Sequence, residues 1–135
     1  MNTISTRHLI IIPFCLFMLT DCATQQRLSP NDPELAVYRA KAQYVAIASA
    51  FLDYLSTSGA SRNVVQTFKD IDRTVYPVLT ITPVVVGTFA SSARGMGIGI
   101  DERDLDFSAG YLPTYREVDR MHERAEDLHH RIQRM

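Results

Sequence analysis

The chain has 135 residues, a formal net charge of −1, 46% hydrophobic and 21% charged residues. Such a balance excludes a disordered tail and a basic nucleic-acid binder, and nothing in it steers toward polyanions or anionic lipid. With no tryptophan, one common anchor of binding interfaces is missing as well.

The N-terminus comes first in the chain and carries the strongest local pattern. Arg7 and the amino terminus place positive charge in residues 1–8, and residues 9–20, LIIIPFCLFMLT, form a nearly continuous apolar run. Twelve residues match a secretory signal core and fall short of the roughly 20 that a membrane-spanning helix needs. Pro13 within the run and the polar TQQRLSPNDP after it argue against a buried element of a cytosolic domain.

The junction Leu19-Thr20-Asp21-Cys22 resembles the lipobox of bacterial lipoproteins, with Leu three residues before the cysteine and Asp21 where the pattern has a small residue. The resemblance covers this segment alone. It implies removal of residues 1–21, acylation of Cys22 as the lipid anchor and, from Ala23 in second position, an outer-membrane protein facing the periplasm. Cleavage after Cys22 would instead leave a soluble periplasmic chain. Cys15 and Cys22 are the only cysteines, so the mature protein has one or none and forms no internal disulfide.

Residues 22–33 read as a polar tether with Pro30 and Pro33. Asp32 as N-cap, Pro33 at the first helical position and Glu34 in the first turn open a helix that runs to Ser58, with Gly59 suited to a left-handed stop. Its Ala42–Leu55 stretch is apolar on nearly all sides, as in a buried bundle helix. Ser61 caps a second helix to about Tyr76, where Pro77 ends it. Val64, Phe68, Ile71 and Val75 form its inner stripe. The link TSGAS predicts an antiparallel hairpin.

Residues 74–93 contain no charge. Three readings stay open, in this order: a third bundle helix starting at Pro83, one or two short strands, and a membrane-inserted segment. Residues 95–110 are glycine-spaced and then acidic, a loop by composition. In residues 113–135, Val118, Met121, Ala125, Leu128, Ile132 and Met135 recur at helical spacing and predict an amphipathic helix. The fold class is therefore all-α: a helical hairpin (34–110, with the apolar segment and the Gly/acidic loop) and a C-terminal helix (111–135).

Residues with chemistry to offer are few. His122, Glu126 and His130 line one face of the last helix, but a metal site needs more convergent ligands and the row reads as a solvated face. Asp104, Asp106 and Ser108 resemble a calcium loop faintly, with Tyr115 where a bidentate Glu belongs. Gly87, Ser91, Gly95 and Gly99 recur at the spacing that lets helices approach closely in lipid. Asp53, inside an apolar stretch, is the one carboxyl whose burial would raise its pKa.

No nucleotide loop, nucleophile elbow or zinc signature is present, so the expectation is no enzyme, no catalytic residues, no metal and no cofactor. The expected function is that of a small envelope lipoprotein of a Gram-negative bacterium or its mobile element. It would hold the bilayer through Cys22 and offer Val118, Met121, Leu128 and Ile132 to an unidentified protein partner. No nucleic acid or small-molecule substrate is implied. The alternatives are a membrane-active protein inserting residues 78–99 and a periplasmic enzyme.

Overall fold

The computed structural model describes residues 25–82, 84–106 and 110–135. The signal segment 1–21, Cys22 and Ala23 lie outside these residues, as do Pro83 and Ser108. Helices α1 (Pro33–Ser58), α2 (Arg62–Val75), α3 (Val85–Gly95), α4 (Glu102–Leu105) and α5 (Tyr115–Arg134) carry the fold, and a 3-10 turn at Tyr76–Val78 extends α2. No strand occurs among the described residues beyond an isolated bridge between Arg27 and Thr114. The protein is all-α.

Helix α1 begins and ends where local chemistry dictates. The Asp32 side chain accepts from the Glu34 N–H at 3.0 Å, and Gly59 stops the helix at φ 58° and ψ 56°, a conformation that strains residues with a Cβ. At 1.5 Å per residue, α1 is about 39 Å long. It buries Leu35, Tyr38, Tyr44, Val45, Ile47, Ala48 and Phe51 around much of its circumference.

Ser61 caps α2 by accepting from the Val64 N–H at 3.3 Å. The chain returns along α1 as the hairpin expectation requires: Phe68 stacks on Phe51 at 3.7 Å and Asp72 meets Tyr44. The closest neighbour of α1 is nevertheless α5, not α2. Large side chains hold α1 and α2 apart, and α3 leans on both, with Phe89 5.8 Å from Tyr44 and 5.1 Å from Phe68.

Helices α1 and α5 run parallel. Glu117 lies near Tyr38, and Arg124 and Arg131 lie beside Ser49 and Asp53. Parallel neighbours cannot be joined by a tight turn, so α2, α3 and α4 together make the crossover.

The charge-free stretch takes the first of its three readings. Val86, Phe89, Ala90 and Ala93 of α3 are buried in the core. No helix among the described residues is long and apolar enough to cross a membrane. The glycine spacing does not serve close helix packing here: a Cβ built at Gly87, Gly95 or Gly99 would meet nothing within 4 Å.

Three expectations need correction. The Gly/acidic stretch is not all loop, because Asp101 caps the Arg103 N–H at 2.9 Å and starts α4. The tether does not run free to residue 33. Leu28 is 2% exposed, its N–H donates to the Pro113 carbonyl at 2.8 Å, and the Tyr115 N–H donates to the Gln26 carbonyl at 3.1 Å.

The C-terminal helix, third, is no separate unit. Ala125, Leu128 and Ile132 share one core with Tyr44, Phe51, Phe68 and Phe89. Val118 joins Leu28, Leu35 and Tyr38 in a smaller core at the N-terminal end of both long helices. A 20-residue helix with an apolar seam is marginal alone in water, and α1 is the nearest surface able to cover it.

Candidate functional site

Two arrangements stand out from the packing: a buried carboxyl that ties three helices together, and an open groove along α1 and α5.

Asp72 is fully buried. It lies on the inner stripe of α2, four residues after Phe68 and three before Val75, so the helix turns it inward with them. One carboxyl oxygen accepts from the Tyr44 hydroxyl of α1 at 2.5 Å. The other accepts from Gln133 Nε2 of α5 at 2.8 Å and faces His129 Nδ1 at 2.7 Å. Gln133 Nε2 also reaches the Lys69 carbonyl at 3.0 Å, and its Oε1 accepts from Arg73 at 3.1 Å. Tyr76 stacks on the His129 ring at 4.2 Å.

Burial first, and the neighbouring Asp72 second, push the Tyr44 phenol well above its usual range, so it stays a hydrogen-bond donor. Every buried side-chain N or O among the described residues has a partner. A satisfied network of this kind fixes helix register, since sliding any of the three helices by one residue would strand a buried polar group. Sequence reading did not bring Asp72 and His129 together. The signal was available for Asp72 in its spacing from Phe68 and Val75.

Among the described residues Lys41 of α1 is the other buried charge, at 7% exposure. Burial lowers its pKa, and Glu126 of α5 works against that shift.

The groove, of about 600 Å³, lies on the outer side of the α1–α5 contact. Ala42, Ala46, Ser49 and Ala50 of α1 form its floor. Asp53, Asp101, Met121 and Arg124 stand around it. Small side chains at a spacing of three and four leave the room, and the rim carries both signs of charge.

No protein-family model, no curated protein and no solved structure matches this chain. The residues themselves therefore carry the whole functional argument.

Among the residues singled out from sequence, Val118, Leu128 and Ile132 are buried at 4%, 5% and 0% exposure, and Met121 is half-buried at the edge of both cores. That seam packs into the protein's own two cores, against α1 and its neighbours. Met121 alone also lines the groove. Cys22, the expected lipid anchor, lies outside the described residues.

Asp53 is exposed, at the edge of the groove and not inside the core. The histidine row does not converge: His122 Nδ1 bonds its own Val118 carbonyl at 2.9 Å, while exposed His130 pairs with Glu126 at 3.6 Å. Among the described residues no group of three or more His, Cys, Asp or Glu is placed to hold a metal.

Proposed function

We propose that this chain is a small lipoprotein of a Gram-negative cell envelope or of a mobile element residing there. It is anchored in the outer membrane through acylated Cys22 and presents its helical body to a protein partner in the periplasm. The partner site is the α1–α5 groove rather than the α5 seam.

The observation that supports this reading is the groove itself. Both helices have committed their apolar faces to the core, yet Ala42, Ala46, Ser49 and Ala50 leave an open channel flanked by Asp53, Asp101 and Arg124. A rim of mixed charge suits a polar peptide segment carrying an apolar anchor.

Two experiments test the two halves. Intact-mass analysis of the membrane fraction reads the N-terminus: an acylated Cys22 is expected, and a free N-terminus at Ala23 or later refutes the anchor. Ala46→Tyr and Ser49→Tyr fill the groove without entering the core. Each is expected to keep the thermal midpoint and abolish copurification of the partner held by the parent protein. An undiminished complex would move the partner site elsewhere.

A further inference from the structure

The surface that meets the membrane can be located, on the reading that Cys22 is the anchor. The chain is already fixed to the folded body at Gln26, whose carbonyl accepts from Tyr115, and at buried Leu28. Gln26 lies four residue steps after Cys22, and a fully extended chain covers at most about 14 Å over that distance. A body tied so closely cannot stand clear of the bilayer. It rests on it with the end from which the tether leaves.

That end can be read from the helix directions. Helices α1 and α5 both start there, with Leu28, Leu35, Tyr38 and Val118 packed together. Helix α2 runs toward it, from Phe68 beside Phe51 to Tyr76 beside Tyr44. Helix α3 runs back from the turn to place Phe89 against Tyr44 and Phe68. The α2–α3 turn therefore points toward the tethered end.

The exposed apolar surface collects on the same side. Among the described residues, five large hydrophobic or aromatic side chains are exposed: Ile81 at 79%, Val84 at 83%, Tyr111 at 37%, Tyr115 at 40% and Met135 at 48%. Ile81 and Val84 lie on the α2–α3 turn. Tyr111 and Tyr115 flank the start of α5, with Arg27 over the Tyr111 ring at 5.9 Å. Only Met135 belongs to the opposite end. Tyrosines with an apolar body and a polar tip suit the headgroup level, and an adjacent Arg reaches phosphate.

The geometry points to a membrane-docking surface made by Ile81, Val84, Tyr111 and Tyr115, with the phospholipid interface as its occupant. The body lies inclined on this end, so that the α2–α3 turn and the start of α5 both enter the headgroup region. The groove then opens sideways, away from the bilayer.

Because the chain has no tryptophan, single tryptophans report on depth. Full-length protein carrying Ile81→Trp, Tyr115→Trp or Asn63→Trp is expressed, processed and purified with its lipid. Each is reconstituted in vesicles of phosphatidylethanolamine and phosphatidylglycerol, with and without acyl-chain bromination. Ile81→Trp and Tyr115→Trp are expected to lose emission in brominated vesicles, whereas Asn63→Trp, at the far end in the first turn of α2, keeps its emission. Acylated, vesicle-bound protein in which all three probes escape quenching would overturn the docking surface and leave the anchor standing. Protein without acyl chains in the mass spectrum would overturn the anchor reading and the docking surface together.

Discussion

Tyr76 lies flat against His129, its ring 4.2 Å away and inclined by only 8°. Stacked there, the phenol ring covers the imidazole that faces Asp72 at 2.7 Å. The result is a hydrogen bond shielded from solvent competition, where its electrostatic strength is greater than in water. Residues from α1, α2 and α5 converge on this one carboxyl, so it should be a sensitive point of the fold.

Replacing Asp72 tests that directly. Asp72→Ala leaves Tyr44 and His129 without their buried partner, while Gln133 keeps the Lys69 carbonyl, and should cost about 2–6 kcal/mol, given roughly 1–3 kcal/mol for each stranded group. Asp72→Asn keeps an acceptor for Tyr44 but turns a donor toward His129 or Gln133, and should cost less. Urea unfolding of the three proteins would order them. Equal midpoints would show that the network contributes only specificity.

Alkaline pH should unfold the protein through Tyr44. Burial and then Asp72 raise its pKa above the ordinary phenol value of about 10. The unfolded chain therefore loses this proton first. Stability attributable to Tyr44 is fully present below about pH 10 and falls as pH rises beyond it. Tyr44→Phe should be less stable at neutral pH, by about 1–3 kcal/mol for a hydrogen bond to a carboxyl, and should show a shallower loss above pH 10. Thermal melts across the alkaline range would read both changes.

Phe51 and Phe68 stack at 3.7 Å in the middle of the core. Either Phe→Ala substitution should cost about 3–5 kcal/mol. Because the rings touch, the double variant should cost less than the sum of the two singles. A fall in thermal midpoint of only a degree or two in both singles would contradict the packing.

The last helix is expected to be indispensable to folding. Cutting the chain after Gly110 removes Val118, Ala125, Leu128 and Ile132 and uncovers α1 along most of its length. The truncated form should lose its cooperative transition. Ile132→Ala alone should cost about 2–5 kcal/mol. In the intact monomer, amides 118–132 should be strongly protected from hydrogen exchange. Rapid exchange there would return α5 to the role of a free partner helix.

The start of α5 has its own acid dependence. The Tyr111 hydroxyl, then the Thr114 N–H, hold the Glu117 carboxyl below the usual range. Unfolded, this group takes up a proton at higher pH than when folded, so its contribution is present above about pH 4.3 and fades as pH falls. Glu117→Gln should flatten that part of the acid limb, and Thr114→Ala should cost about 1 kcal/mol through loss of the cap. Acid titrations of thermal midpoint distinguish the two.

Local signals wrote most of the helices into the sequence. Asp32, Gly59 and Ser61 mark their boundaries by chemistry that acts within a turn, and the structure has each of them in that role. Partner choice was less legible. The seam of α5 says that it must be covered but not by what, since α1 and an outside protein offer the same kind of apolar surface. Leu28 gave no warning at all, because a single leucine in a polar stretch has no periodicity to reveal it. Asp72 was hidden for the opposite reason: a charge on an apolar stripe reads as an interruption until its three partners, from helices distant in sequence, are brought together. The groove depends on small residues whose significance appears only once α5 lies beside them.

The parallel pairing of α1 with α5 also sets the order of events during folding. The first long helix and its principal neighbour stand at opposite ends of the folded sequence, so contacts between them close the largest loop in the molecule and come late. A chain that emerges N-terminus first leaves the α5-facing side of α1 uncovered until residues 115–134 arrive. Up to that moment neither core is complete. Once the final helix docks, its Val118, Ala125, Leu128 and Ile132 complete both cores.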